Sequence, residues 1–251
     1  QNNGLDGDNL NAMGIEAGQN NTGSAVNLFG EGAGRNNQGS LVNAFGGAAG
    51  EYNSAWSSNM LGNQAGQFNT GGELNAMGAM AAQHNTHAGV NAFGLAAAQY
   101  NHNADVNALG WQAAQYNWGF QVSALGANAA RFNRGDHAIA IGEFALYGDS
   151  TIADGDGNIG IGYSAASNVG EGANNICVGF DADIPDSTAN NQINIGNTIV
   201  REQDGMIRLK DFIRLTPLDN PPATIEEGTI YYNATDQMVY VLTAGGWQAL
   251  W

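Results

Sequence analysis

The chain has 251 residues, 23 of them acidic and 7 basic, for a formal net charge of −16. That balance argues against nucleic acid as a partner, since phosphate binding needs a clustered positive surface. No run of eighteen apolar residues is present to span a bilayer, and the single cysteine, Cys177, excludes an internal disulfide.

From the N-terminus onward, a glycine returns every sixteen residues, nine times, from Gly14, Gly30 and Gly46 through Gly126 to Gly142. An alanine follows each one three residues later, from Ala17 and Ala33 to Ala145. A period this strict means one small unit stacked on copies of itself. Sixteen residues leave room for about one helical turn per segment, too little to hold in water. Short strands fit, so the expected fold is all-β, a parallel β-solenoid of 16-residue coils.

Each coil is expected to hold two short extended segments. The first ends at the glycine, as in Val26-Asn27-Leu28-Phe29 and Val90-Asn91-Ala92-Phe93. The second runs from the alanine to another asparagine, seven residues past the glycine, in the column Asn21, Asn37, Asn53 through Asn133. In the first strand, alternation puts Phe29, Phe45 and Phe93 on one side with Asn27, Asn43 and Asn91. Val26, Val42, Val90 and Val106 share the other side with small alanines. The asparagines are expected to point into the coil and pair up the stack at about 4.8 Å, as in amide ladders. The valine side is then left for another copy of the chain to cover. That leads to the expectation of an oligomer, a trimer bundled about its axis.

Tyr52, Phe68, His84, Tyr100, Tyr116 and Phe132 form a further column, six residues past the glycine and alternating away from the inward alanine and asparagine. With Trp111 and Trp118 nearby, the residues Tyr100, Trp111, Tyr116 and Trp118 are a candidate surface for stacking glycans. The alternative for the column is plain packing along a sheet. His84, His87 and His102 fall in neighbouring coils, but no acid or cysteine completes a zinc set. Asp154-Gly155-Asp156-Gly157-Asn158 spaces its carboxylates like a calcium loop. The twelfth position is Ala165 where an EF-hand needs glutamate, so an ordinary turn is the reading. No metal or cofactor is expected. No nucleophile, base and acid converge in the pattern, so no enzyme is expected either.

The coils then change style, to Ala138-Ile139-Ala140-Ile141-Gly142, Asn158-Ile159-Gly160-Ile161-Gly162, Asn175-Ile176-Cys177-Val178-Gly179 and Gln192-Ile193-Asn194-Ile195-Gly196. This signature resembles the head repeat of trimeric autotransporter adhesins, and similar repeats occur in bacteriophage tail fibres. The resemblance implies a left-handed parallel β-roll and a homotrimer. The sixteen-residue period departs from the shorter repeat of that family. Near the C-terminus, Gly228-Thr229-Ile230-Tyr231-Tyr232-Asn233, Met238-Val239-Tyr240-Val241-Leu242 and Gly246-Trp247 resemble a small β-module at the ends of phage tail fibres. The start at Gln1 reads as part of a longer or processed chain.

Four segments result: a regular roll at 1–148, irregular coils with inserted loops at 149–200, strands and a proline-containing linker at 201–227, and a β-hairpin module at 228–251. Within the third, Ile207, Leu209, Phe212, Ile213 and Leu215 are the apolar anchors around a Gln203-Asp204-Gly205 turn. The half from 136 onward carries 16 of the 23 acids. The expected function is structural and adhesive: a bacteriophage tail fibre or tail-tip component of the virion that attaches to a bacterial surface by multivalent binding. Its expected partners are a cell-surface glycan or protein receptor and neighbouring fibre or tail proteins. The alternatives are a bacterial trimeric surface adhesin at the cell surface and, third, an ice-binding solenoid.

Overall fold

A computed structural model of the chain describes residues 9–148, 155–201, 207–209, 217–218, 230–233, 235 and 237–249. Twelve strands stack in parallel, all in register: β1 (Leu10–Met13), β2 (Val26–Phe29), β3 (Val42–Phe45), β4 (Ser58–Leu61), β5 (Leu74–Met77), β6 (Val90–Phe93), β7 (Val106–Leu109), β8 (Val122–Leu125), β9 (Ile139–Ile141), β10 (Ile159–Ile161), β11 (Ile176–Val178) and β12 (Ile193–Ile195). Like meets like along the stack: Asn27 pairs with Asn43 and Phe29 with Phe45. Among the described residues there is no helix, and the architecture is a parallel β-solenoid. β13 (Ile199–Arg201) turns back antiparallel on β12, and β14 (Ile207–Leu209) completes the sheet.

Contacts divide the chain into two units, Gln1–Arg208 and Leu209–Trp251. In the second, β15 (Pro217–Leu218) lies parallel to β16 (Ile230–Asn233), and β17 (Val239–Thr243) is antiparallel to both β16 and β18 (Gly246–Ala249). The expected Gln203-Asp204-Gly205 turn, the anchors Phe212, Ile213 and Leu215, and residues 228 and 229 lie outside the described residues.

The coil has one strand, not the two expected. The segment after the glycine is instead a run of three overlapping tight turns. In the second coil they are closed by Ala33 N–H to Gly30 O at 3.3 Å, Arg35 N–H to Gly32 O at 3.1 Å and Asn37 N–H to Gly34 O at 3.1 Å. The third residue of each turn has positive φ, as a type II turn demands: Gly32 64°, Gly34 60° and Asn36 55°. Later coils place Ala96, Ala98 and Tyr100 in these slots, where an L-residue costs about 1–2 kcal/mol. Bonds to both neighbouring coils hold them there. Ala98 N–H reaches forward to Ala113 O at 2.8 Å, and Tyr100 N–H reaches back to Gln83 O at 2.9 Å.

The two faces of the strand are the reverse of the sequence expectation. Val26, Val42, Val90 and Val106 are fully buried inside the coil, while Asn27 and Phe29 look outward. The reason is volume. The turn run crosses beneath the strand on Ala33 and Gly34, leaving a thin interior that takes a valine and an alanine but not a phenylalanine. The same holds in the later coils, where Ile139, Ile141 and Ile161 are outward and Ala140, Gly160, Cys177 and Asn194 occupy the inner row. Asn158 and Asn175, though polar, are buried there and accept backbone N–H groups of the next coil, from Asn175 and Gln192 at 2.9 and 2.8 Å. The second asparagine column is inward as expected. Asn37 Nδ2 donates to Asn21 Oδ1 at 2.6 Å and to Gly39 O at 2.8 Å, which removes most of the cost of burying the amide.

Core size is balanced within the coil. Leu28 and Met60 replace alanine in the inner row, and glycine then stands beneath them at Gly34 and Gly66. A Cβ on Gly34 would fall under 3.0 Å from two Leu28 methyls. Where the inner row holds Ala92, the facing residue is Ala98. We therefore expect Gly34→Ala to cost about 1–3 kcal/mol, as overpacking does. Adding Leu28→Ala should recover part of that loss by restoring the Ala92–Ala98 pairing. Thermal unfolding of the two single variants and the double variant measures the coupling; strict additivity would contradict it.

Candidate binding surfaces

Two outward surfaces follow from this coil. The first is the outer face of the strands. An amide ladder runs along it: Asn11 donates to Asn27 at 2.9 Å, Asn27 to Asn43 at 2.8 Å, and so on to Asn107. Beside the ladder runs an apolar column in which Phe29 and Phe45 stack at 5.0 Å. Leu61, Met77, Phe93, Leu109 and Leu125 continue it, each at least 36% exposed. Open troughs of about 430 and 370 Å³ lie between ladder and column, around Asn59–Leu61 and Asn107–Leu109. From β9 to β12 isoleucine replaces the asparagine, so the face becomes apolar on both rows.

The second surface lies on the turn run. Tyr52, Phe68, His84, Tyr100, Tyr116 and Phe132 stack face to face, with centroids 4.8–5.2 Å apart and planes within 12°. The rings therefore pack on one another along the stack, though on turns and not on a sheet as the alternative had it. Tyr100 is covered on one face by His84 and on the other by Tyr116; Tyr116 lies between Tyr100 and Phe132. Neither ring has an open face for a sugar, and both present only edges. Trp118 differs. It is exposed and stacks on His102 at 4.0 Å, and it borders a notch of about 130 Å³ with Tyr116, Phe132 and Arg134. Trp111, also exposed, stands directly after the corner glycine Gly110, in a different column from Trp118. Of the four sequence-predicted residues, the structure brings Tyr100, Tyr116 and Trp118 together and leaves Trp111 apart.

Beneath the aromatic ladder lies a buried polar spine that the sequence reading passed over, although it obeys the same sixteen-residue period. Gln115 donates to Gln99, Gln99 to Gln83, Gln83 to Gln67 and Gln67 to Glu51, at 2.6–2.7 Å. Glu51 is held by Arg35, which also bonds Glu16 at 2.6 Å. Hydrogen bonds to Glu51 and then Glu16 raise the Arg35 pKa further above its usual value. At the other end, Arg131 leans over the Phe132 ring at 4.6 Å. Gln115 Oε1 and Arg131 Nε are buried there without partners.

The remaining candidates resolve as parts of the stack. Asp156 Oδ1 accepts the Asp136 N–H at 2.9 Å, a backbone contact between coils; Asp154 lies outside the described residues. His84 is a rung of the aromatic ladder and His102 the backing of Trp118, its pKa lowered by desolvation and by the neighbouring His87. Among the described residues no three His, Cys, Asp or Glu side chains converge as metal ligands would. No family model, curated protein or solved structure matches the chain.

Cys177 is fully buried in the inner row, where alanine usually stands. Burial, reinforced by Asp183, pushes its thiol up to about 12. Since the thiolate is the reactive form, Cys177 should resist a disulfide reagent at pH 8 in the folded chain. It should react at least a hundredfold faster in denaturant; equal rates would mean the coil is open at β11.

Proposed function

We propose that this chain is a trimeric fibre segment of a bacteriophage tail, a tail fibre or tail-tip component that attaches to a bacterial surface. The observation that carries the reading is the outward face of the strands, an apolar column beside an amide ladder that becomes apolar on both rows from β9. From β1 to β12 it extends about 53 Å at the usual strand spacing, with a width of about 13 Å for a four-residue strand. About two thirds of that area is apolar, comparable to the largest patch of an ordinary monomer, which is often a functional surface. Three copies packing these faces about a common axis would hide Phe29, Phe45 and Phe93 and the isoleucine rows of β9–β12, leaving the aromatic ladder outside.

A rod of stacked coils is stiff, and three weak receptor sites on one rod gain avidity without any new contact. The likeness of the coils at 138–196 to adhesin head repeats supports the left-handed roll. It serves a bacterial trimeric surface adhesin equally well. The tyrosine-rich β16, the β17 strand and Gly246-Trp247 favour the phage reading through their likeness to tail-fibre ends.

Light scattering on the purified chain tests the assembly. The expected mass is about three times the 26.1 kDa of one chain. Phe45→Glu with Phe93→Glu should lower it to that of one chain without changing the β circular dichroism, because both side chains are outward. A wild-type monomer at micromolar concentration would refute the trimer.

A further inference from the structure

Departures from a strict repeat mark positions that the stack itself does not require. The slot eight residues past the corner glycine holds Thr22, Gln38, Ser54, Thr70 and Thr86 in the first five coils, then His102, Trp118 and Arg134 in succession. Two other irregularities fall at the same place. The aromatic ladder stops at Phe132, because the next slot is Gly148, and Tyr147 meets Phe132 edge-on at 88°. Arg131 and Arg134 are also two of only three basic residues before residue 136.

We propose that the notch between Trp118, Tyr116, Phe132 and Arg134 binds a single pyranose ring bearing a carboxylate. This deepens the attachment reading above and rests on it for biological meaning. Trp118 has one indole face against His102 and, with half its surface exposed, its other face on the side of Arg134. The electron-rich face of an indole attracts the weakly positive C–H edge of a sugar ring. Tyr116 and Phe132 form the wall and offer positive ring edges to hydroxyl oxygens. Arg134 supplies a planar fork of five N–H donors, suited to a carboxylate and able to serve it alongside an intramolecular partner. The notch of about 130 Å³ is open to solvent and seats one face and edge of a single ring, not a chain of them. His102 fixes the indole plane by stacking behind it.

The test is nuclear magnetic resonance titration of the full chain with methyl glucuronide and the methyl glycoside of N-acetylneuraminic acid, against methyl glucoside as the neutral probe. At least one acidic glycoside should shift the Trp118 indole N–H saturably and bind at least tenfold more tightly than the neutral one. Trp118→Thr and Arg134→Ser restore residues that the array already carries in that slot, so the fold is expected to persist. Each should weaken acidic-sugar binding at least tenfold, while Trp56→Ala changes nothing. Equal binding of acidic and neutral probes, no binding of any, or full affinity in Trp118→Thr overturns the proposal. Attachment to bacterial cells separates the two readings. Attachment that survives Trp118→Thr overturns the notch as the receptor site and leaves the fibre standing. Acidic-sugar binding by a trimer that attaches to no cell supports the notch and refutes the attachment.

Discussion

The close approach of one corner glycine to the next sets everything else in the solenoid. A Cβ on Gly94 would lie under 3.0 Å from the Gly110 carbonyl oxygen, and the same is true at each corner from Gly14 to Gly162. The backbone there also sits at φ of about 129–141°, a conformation L side chains avoid. With no side chain to slide past, successive coils meet backbone to backbone and lock in one register. Identical residues are then superposed every sixteen positions, and each column becomes a line of like groups at strand spacing.

What the columns contain decides the energetics. A coil this thin encloses one valine, two or three alanines and an asparagine, so the apolar core is narrow and each methyl matters. Much of the cohesion is polar instead. Asparagine and glutamine suit this arrangement because a carboxamide is both donor and acceptor, and a line of them satisfies itself. Charge would not stack in this way, since like charges in one column repel. Where charge does enter, as Glu51 in the glutamine spine, Arg35 stands in the adjacent coil to meet it. The left-handed turn residues, costly alone, are carried by this dense bonding between coils.

The period, the parallel stack, the buried second asparagine column and the aromatic ladder were legible in the sequence, because each depends on repetition alone. The direction of the strand faces was not. Asn27 and Phe29 were assigned inward because a continuous apolar column was expected to fill the coil with the asparagines on its side, yet the amide ladder forms at the surface just as well. The better signal was size: Ala44, Ala76 and Ala92 share a row with Val42, Leu74 and Val90, and such small partners mark the cramped side. The turn run was misread as a strand because alanine-rich segments such as Ala96-Ala97-Ala98 carry no mark of positive φ. Its first coils do, with Gly32, Gly34 and Gly50 in those slots. The notch by Trp118 was half visible: Tyr116 and Trp118 stood in the candidate surface and Phe132 in the aromatic column, while Arg134 emerges only when the slots are read as columns with exceptions.

The amide ladders also have direction. On the outer strand face each asparagine gives its N–H to the following coil, Asn27 to Asn43. Inside, Asn37 gives to the preceding coil, and so does the glutamine spine. The upper surface of any regular coil therefore carries the complement of its own lower surface. A tandem duplication of sixteen codons would insert a layer that finds its partners ready above and below, so the reach of such a rod can be lengthened by simple gene slippage, with no accompanying change in its neighbours.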